Sequence, residues 1–197
     1  MVILVNAIED LFTETGIITA SDAAKNGFEK DAFYQYVKEN NLERIGHGIY
    51  IREDAWPDDL FVLHKRCPAA VFSHEEALYY HNLTDREPIR HTLTIYTGYN
   101  TKRLVDSGCK VYTVKKDLLD VGKVIVKNNY GNDIPVYDVE RTVCDIVRSR
   151  RNIEIQEFNT ALKAYVQRKD KDLNKLMSYA QLFHVDKIIM QYMEVLL

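Results

Sequence analysis

The segment Lys30-Asp-Ala-Phe-Tyr34-Gln35-Tyr-Val-Lys38 interleaves basic, amide and aromatic side chains with apolar ones at helical spacing. With Phe33, Tyr36 and Val37 turned inward, Lys30, Asp31, Tyr34, Gln35 and Lys38 fall on the outer face. Such a face suits the edges and phosphates of duplex DNA. A glutamine can bind adenine at two points, and a lysine reaches guanine or phosphate. Upstream, Ser21 and Lys25 are placed to meet phosphates. Downstream, Arg44 and His47 could touch the backbone or a minor groove.

Catalytic patterns are weak by comparison. His64 and Cys67 stand three apart and His74 and His81 seven apart, with no third ligand at convincing spacing. Cys144-Asp145 has no nearby histidine partner and reads as a packed thiol on an amphipathic helix. The chain carries no glycine-rich phosphate loop, nucleophile elbow or HExxH motif. Glu140-Arg141 with Asp145 reads as an ion-pair device that orients a helix. The sequence therefore predicts a non-enzyme without metal or cofactor.

The elements that must position these residues follow from local signals. Leu4, Ile8, Leu11 and Phe12 predict a first helix over about Val2–Glu14, ended by Gly16. Thr19-Ala-Ser-Asp22 fits a capping box, opening a short helix to about Lys25 that Asn26-Gly27 stops. A third helix is predicted over Glu29–Asn40. Leu42–Ile45 and Ile49–Ile51, joined by Gly46-His-Gly48, read as a hairpin. Three helices and a hairpin in that order predict an N-terminal winged helix-turn-helix over residues 1–52.

The polar break Glu53–Asp59 separates it from a larger mixed α/β domain, 58–197, so the fold class is α+β. That domain should hold strands near 70–72, 91–96, 110–114, 124–127 and 134–137, with a helix at Leu60–Cys67. Ser73-His-Glu-Glu76 again fits a capping box, for a helix reaching His81. The second half should be helical: a helix from Val139 with Val143, Ile146 and Val147 on one face, then about 155–167, 171–180 and 185–197.

Composition excludes several classes. At 28% charged and 46% hydrophobic residues the 197-residue chain reads as globular rather than disordered. It has no run long enough to span a bilayer, no secretory pattern, and three widely spaced cysteines that suit a reducing compartment. The net charge is −3, and residues 1–51 hold four bases against eight acids. Residues 101–127 compensate with Lys102, Arg103, Lys110, Lys115, Lys116, Lys123 and Lys127 against three aspartates, a net +4. Residues 141–175 also sum to +4. Lys102, Arg103, Lys110, Lys115 and Lys116 are thus candidates for phosphate contacts that the small module lacks.

The chain resembles a known family over nearly its whole length. The segments are Ile18-Thr19-Ala-Ser-Asp22 through Ile45-Gly-His-Gly-Ile-Tyr50, Phe72-Ser-His-Glu-Glu-Ala-Leu78, Val136-Tyr-Asp138 and Val139-Glu-Arg-Thr-Val-Cys-Asp145. Together they resemble the AbiEi-type antitoxins of type IV toxin–antitoxin systems, which are linked to abortive phage infection. The resemblance implies a cytoplasmic bacterial protein encoded beside a nucleotidyltransferase-like toxin. It implies repression of the shared promoter through inverted repeats in double-stranded DNA. The larger domain would counter the toxin without a stable complex, and no membrane is implied. Two other readings stay open: a nuclease or nucleotide-processing enzyme guided by the winged helix, needing acids around a metal, and a pure protein-interaction module.

Overall fold

The computed structural model describes residues Ile8–Leu196. The chain divides into two compact units, Met1–Pro68 with Lys127–Ile134, and Ala69–Val126 with Pro135–Leu197. Among the described residues both units mix helices and strands, so the architecture is α+β.

In the first unit, helical structure at Ile8–Glu9 gives way to turns, short of the predicted end at Glu14; residues 1–7 of that predicted helix lie outside the described residues. The chain breaks because Thr13 closes a turn on Ile17, through its backbone and its hydroxyl, which accepts from the Ile17 N–H at 3.0 Å. Gly16 sits in that turn at φ +70, where an added Cβ would lie 2.9 Å from the Ala55 Cβ. Ile17–Thr19 then forms strand β1, where the sequence predicts no strand. Three residues make a strand here because β3 (Ile49–Ile51) pairs with them antiparallel, Ile17 opposite Ile51 and Ile18 opposite Tyr50. The hairpin partner β2 (Glu43–Gly46) completes the sheet in the order β1-β3-β2. Its turn narrows to His47-Gly48, since Gly46 belongs to the strand.

Helix α1 (Ala20–Lys25) starts as expected, with the Thr19 hydroxyl accepting from the Asp22 N–H at 2.9 Å. The reciprocal arm of the capping box is not made; the Asp22 carboxylate goes to Lys65 Nζ at 2.8 Å instead. Helix α2 (Lys30–Glu39) buries Phe33 and Tyr36. Alternation splits the sheet's side chains between two cores. Ile18 and Tyr50 pack with Ala23, Phe33 and Tyr36 on one side. Ile17, Ile49 and Ile51 pack with Phe61 and Val62 of helix α3 (Asp59–Arg66) on the other. This second covering is why the unit runs past residue 52: without α3 one apolar sheet face would be left in water.

The unit also takes in residues 127–134, a hairpin tip. The carboxylate of Asp58, fully buried, caps the Phe61 N–H at 3.0 Å and accepts from the amides of Asn128 and Asn132, both at 2.6 Å.

The second unit is built on a five-stranded sheet in the order β6-β5-β4-β8-β7, from β4 (Val71–Phe72), β5 (Thr92–Tyr96), β6 (Lys110–Val114), β7 (Lys123–Lys127) and β8 (Asp133–Tyr137). β4 runs antiparallel to β5 and parallel to β8, and β5 runs parallel to β6. Helix α4 (Glu75–Tyr80) follows β4, and the short α5 (Lys102–Asp106) precedes β6. The predicted Ser73 capping box does not form. The Glu76 N–H is satisfied by the Thr92 hydroxyl at 2.9 Å, while Ser73 Oγ bonds Thr94 and His74.

The helical half comprises α6 (Val139–Arg148), α7 (Ile155–Gln167), α8 (Leu173–Leu182) and α9 (Asp186–Leu196). α8 begins two residues later than expected because Asp172 is its cap, accepting from the Lys175 N–H at 2.9 Å. Helix α6 is amphipathic, as expected, but its polar face is covered too: every residue from Glu140 to Val147 is buried. Its core includes Val143, Cys144, Ile146 and Val147 with Phe158, Leu162, Tyr165, Leu176 and Ile189. No helix among the described residues is long and apolar enough to cross a membrane.

Candidate functional site

The outer face of α2 is where periodicity placed it. Lys30, Asp31, Tyr34, Gln35 and Lys38 are exposed, and Val37 is half-buried behind them. Gln35 Nε2 donates to Glu39 Oε1 at 2.8 Å, one turn along. Asp31 and Lys38, seven residues apart, flank Gln35 on the same stripe.

The hairpin is tied to this face. The Tyr34 ring lies 6.2 Å from Tyr50 and 5.5 Å from Phe33, both edge-on. Arg44 is opposite Tyr50 in the strand register. Burial, with Tyr34 beside it, pushes the Tyr50 hydroxyl above its usual range. Arg44 Nε donates to the Gly46 carbonyl at 3.1 Å, which holds its stem along the hairpin turn. The turn in turn meets α1, where the Ala20 N–H donates to the Gly48 carbonyl at 2.8 Å. Exposed Ser21 and exposed His47 therefore flank one backbone contact. Tyr50 was missed in the sequence, although its place between Ile49 and Ile51 marked it as facing the helix side.

Acidic charge in this unit is larger than the N-terminal count suggested: eight bases against thirteen acids, a net of −5. Part of it is compensated locally. Glu9 is bridged by Arg52 and accepts from the Tyr36 hydroxyl, which burial and the carboxylate push up to about 12. Burial would raise Asp22, but Lys65 and the Thr19 cap outweigh it and hold the carboxyl below its usual range. Lys25 lies 3.7 Å from the same carboxylate. Glu29, Asp31 and Glu43 remain exposed.

The other basic candidates belong to the second unit. Lys102 and Arg103 are exposed on α5, and Lys115 and Lys116 are exposed after β6. Lys110 is different: its ammonium is committed to Glu75 and to the Asn152 carbonyl at 2.9 Å. Burial would lower it, but the bonds to Glu75 and Tyr112 win and raise it. A lysine so engaged makes a poor phosphate contact, which corrects its place among the candidates.

The residues examined for chemistry are mostly engaged in the fold. Arg141 and Asp145 pair at 3.0 Å with both side chains fully buried, as the ion-pair reading expected. Arg141 also donates to the Leu118 and Val121 carbonyls and lies between the rings of Tyr137 and Phe183, at 3.9 and 4.0 Å. Asp138 and Glu140 converge on Lys175 Nζ at 3.0 and 3.3 Å. The Cys144 thiol is buried, and desolvation pushes it above its usual range. His74 is fully buried at φ +51, stacked on Tyr112 at 3.4 Å, with its ring nitrogens against Ser73 and Ser149 at 3.0 and 3.1 Å. Among the described residues no group of three or more His, Cys, Asp or Glu is placed to hold a metal ion.

No protein-family model and no curated protein matches this sequence. Among solved structures, the chain is similar to the crystal structure of the RV2827C protein from Mycobacterium tuberculosis, with a TM-score of 0.56 at 12% identity. The match covers 84% of this chain and 66% of that one, so this chain spans just under two thirds of its neighbour's length. At that identity the likeness concerns the α+β fold alone.

Proposed function

We propose that this protein is a DNA-binding transcriptional autorepressor and the antitoxin of a type IV toxin–antitoxin system. In this reading α1, α2 and the β2–β3 hairpin act as a winged helix-turn-helix, with α2 as the recognition helix. The observation that carries it is the outward face of α2, Lys30, Tyr34, Gln35 and Lys38, joined to the hairpin through the Tyr34–Tyr50 contact. Gln35 reads bases, the lysines contact phosphates or guanine, and Ser21, Lys25, Arg44 and His47 hold the backbone. Because the first unit is acidic, part of the electrostatic grip comes from Lys102, Arg103, Lys115 and Lys116 of the second unit, whose balance is positive.

The antitoxin half of the proposal rests on the resemblance to AbiEi-type proteins. It places the chain in a bacterial cytoplasm, opposite a nucleotidyltransferase-like toxin with which it forms no stable complex. A gel shift against the DNA upstream of its own gene tests the repressor. Sequence-specific binding that weakens steeply with salt is expected; its absence removes the repressor reading. Growth rescue on co-expression with the nucleotidyltransferase of the neighbouring gene tests the antitoxin.

A further inference from the structure

A cleft of about 620 Å³ opens between α7 and α9 of the second unit, within the roughly 300–1,000 Å³ range of small-molecule sites. Two cations line it, Arg150 and Lys163, and no carboxylate does. Neither cation forms an ion pair among the described residues. Arg150 spends one donor on the Val147 carbonyl at 3.1 Å, which fixes its stem and leaves the rest of the guanidinium available. The wall is apolar and partly aromatic, with Ile188 and Tyr192, and the Tyr192 ring is braced edge-on by Phe158 at 5.4 Å. Asn159 and Gln191 add two side-chain amides, each both donor and acceptor.

A second cleft, of about 500 Å³, makes the contrast. It is also rich in charge, but of both signs: Arg86 is bridged to Glu154 and Lys110 to Glu75, and Glu87 and Glu157 line it together with Arg90.

We infer that the α7–α9 cleft binds a nucleoside phosphate. Unopposed cations call for an anion, and an arginine with a lysine suits phosphate oxygens. The aromatic and aliphatic wall suits the face of a base, and the amides suit its polar edge. A neutral sugar would leave the cations unmet, and free phosphate would leave the apolar wall bare. The inference is independent of the DNA reading, since none of these residues is among the proposed DNA contacts.

Isothermal titration of the full chain with ATP, GTP, CTP and UTP tests it, with inorganic pyrophosphate and adenosine as controls. One-to-one binding of at least one nucleotide is expected, weakened about tenfold by Lys163→Gln and by Arg150→Gln, the loss of one charge-assisted contact. Arg90→Gln, in the contrasting cleft, should leave it unchanged. The proposal is overturned if no nucleotide saturates the protein by about 2 mM, a regime of negligible affinity. It is equally overturned if pyrophosphate binds as tightly as the nucleotide, or if Arg90→Gln weakens binding as much as Lys163→Gln. Both test side chains are exposed, and a thermal melt shows that the variants are folded.

Discussion

Helices α2 and α6 are both ten residues long, and each carries four charged residues: Lys30, Asp31, Lys38 and Glu39 in one, Glu140, Arg141, Asp145 and Arg148 in the other. Their fates are opposite. α2 turns its charges to solvent and buries one stripe. α6 is buried from Glu140 to Val147, with Arg148 half-buried at its end, and its charges are met largely inside the protein. The difference does not lie in composition. A buried charge is tolerated only where partners with good geometry wait for it. Within α6, Arg141 and Asp145 answer each other, and the further partners come from outside it: Leu118, Val121, Tyr137, Asp172, Lys175 and Phe183. The loop that supplies two of these carbonyls approaches closely at Gly122, φ +75, where a Cβ would lie 2.6 Å from that of Arg141. One helix is free to touch a partner, and the other is spent on holding its own unit together.

The largest test of this contrast is a pair of like substitutions. Asp145→Ala strands Arg141 without its counter-charge and should destabilise the full chain by about 3–5 kcal/mol in urea unfolding. Asp31→Ala, at an exposed first turn, should cost less than about 1 kcal/mol. Equal effects would break the comparison. Next in size is Asp58→Ala, which removes a helix cap and leaves two buried amides without their acceptor. A loss of about 2–3 kcal/mol is expected, seen first as faster hydrogen exchange in residues 127–134 and in α3.

Acid should find the second unit through His74. Burial, with Arg148, Lys110 and Arg141 nearby, holds its pKa well below the usual histidine value. The unfolded chain takes up a proton below about pH 6.5 that the folded chain refuses. Stability from this group is therefore complete above that pH. It falls by about 1.4 kcal/mol per pH unit below it, until the folded pKa is reached. Burial shifts His81 in the same direction. His74→Gln should reduce the acid slope by about one proton; an unchanged slope would show that His74 is not the group concerned.

The smallest effects concern binding by α2. Lys38→Glu should weaken operator binding about tenfold and lower the salt slope by about one or more. Asp31→Ala, nearly silent in stability, should tighten it a few-fold by removing a like charge from the stripe. If Lys116→Glu also lowers the slope, the second unit contacts DNA; if not, it does not.

Much of this was legible in the chain. The outer face of α2, the Thr19 cap, the β2–β3 hairpin and the bounds of α7 depend on signals a few residues apart, and the structure has them. So does the Arg141–Asp145 pair, one helical turn in length. What sequence could not supply was every feature whose partner is remote. β1 is a strand only because β3 lies beside it. The Ser73 hydroxyl leaves its predicted cap because Thr92 takes the Glu76 N–H. Lys110 is withdrawn from the basic surface by Glu75, thirty-five residues earlier. Asp58 finds its amides seventy and seventy-four residues on. The sequence by itself determined the local periodicities and caps, because these are settled within a turn or two of backbone. Only the tertiary structure decided which charges are buried and which face outward, because that depends on partners that folding alone brings within hydrogen-bond distance.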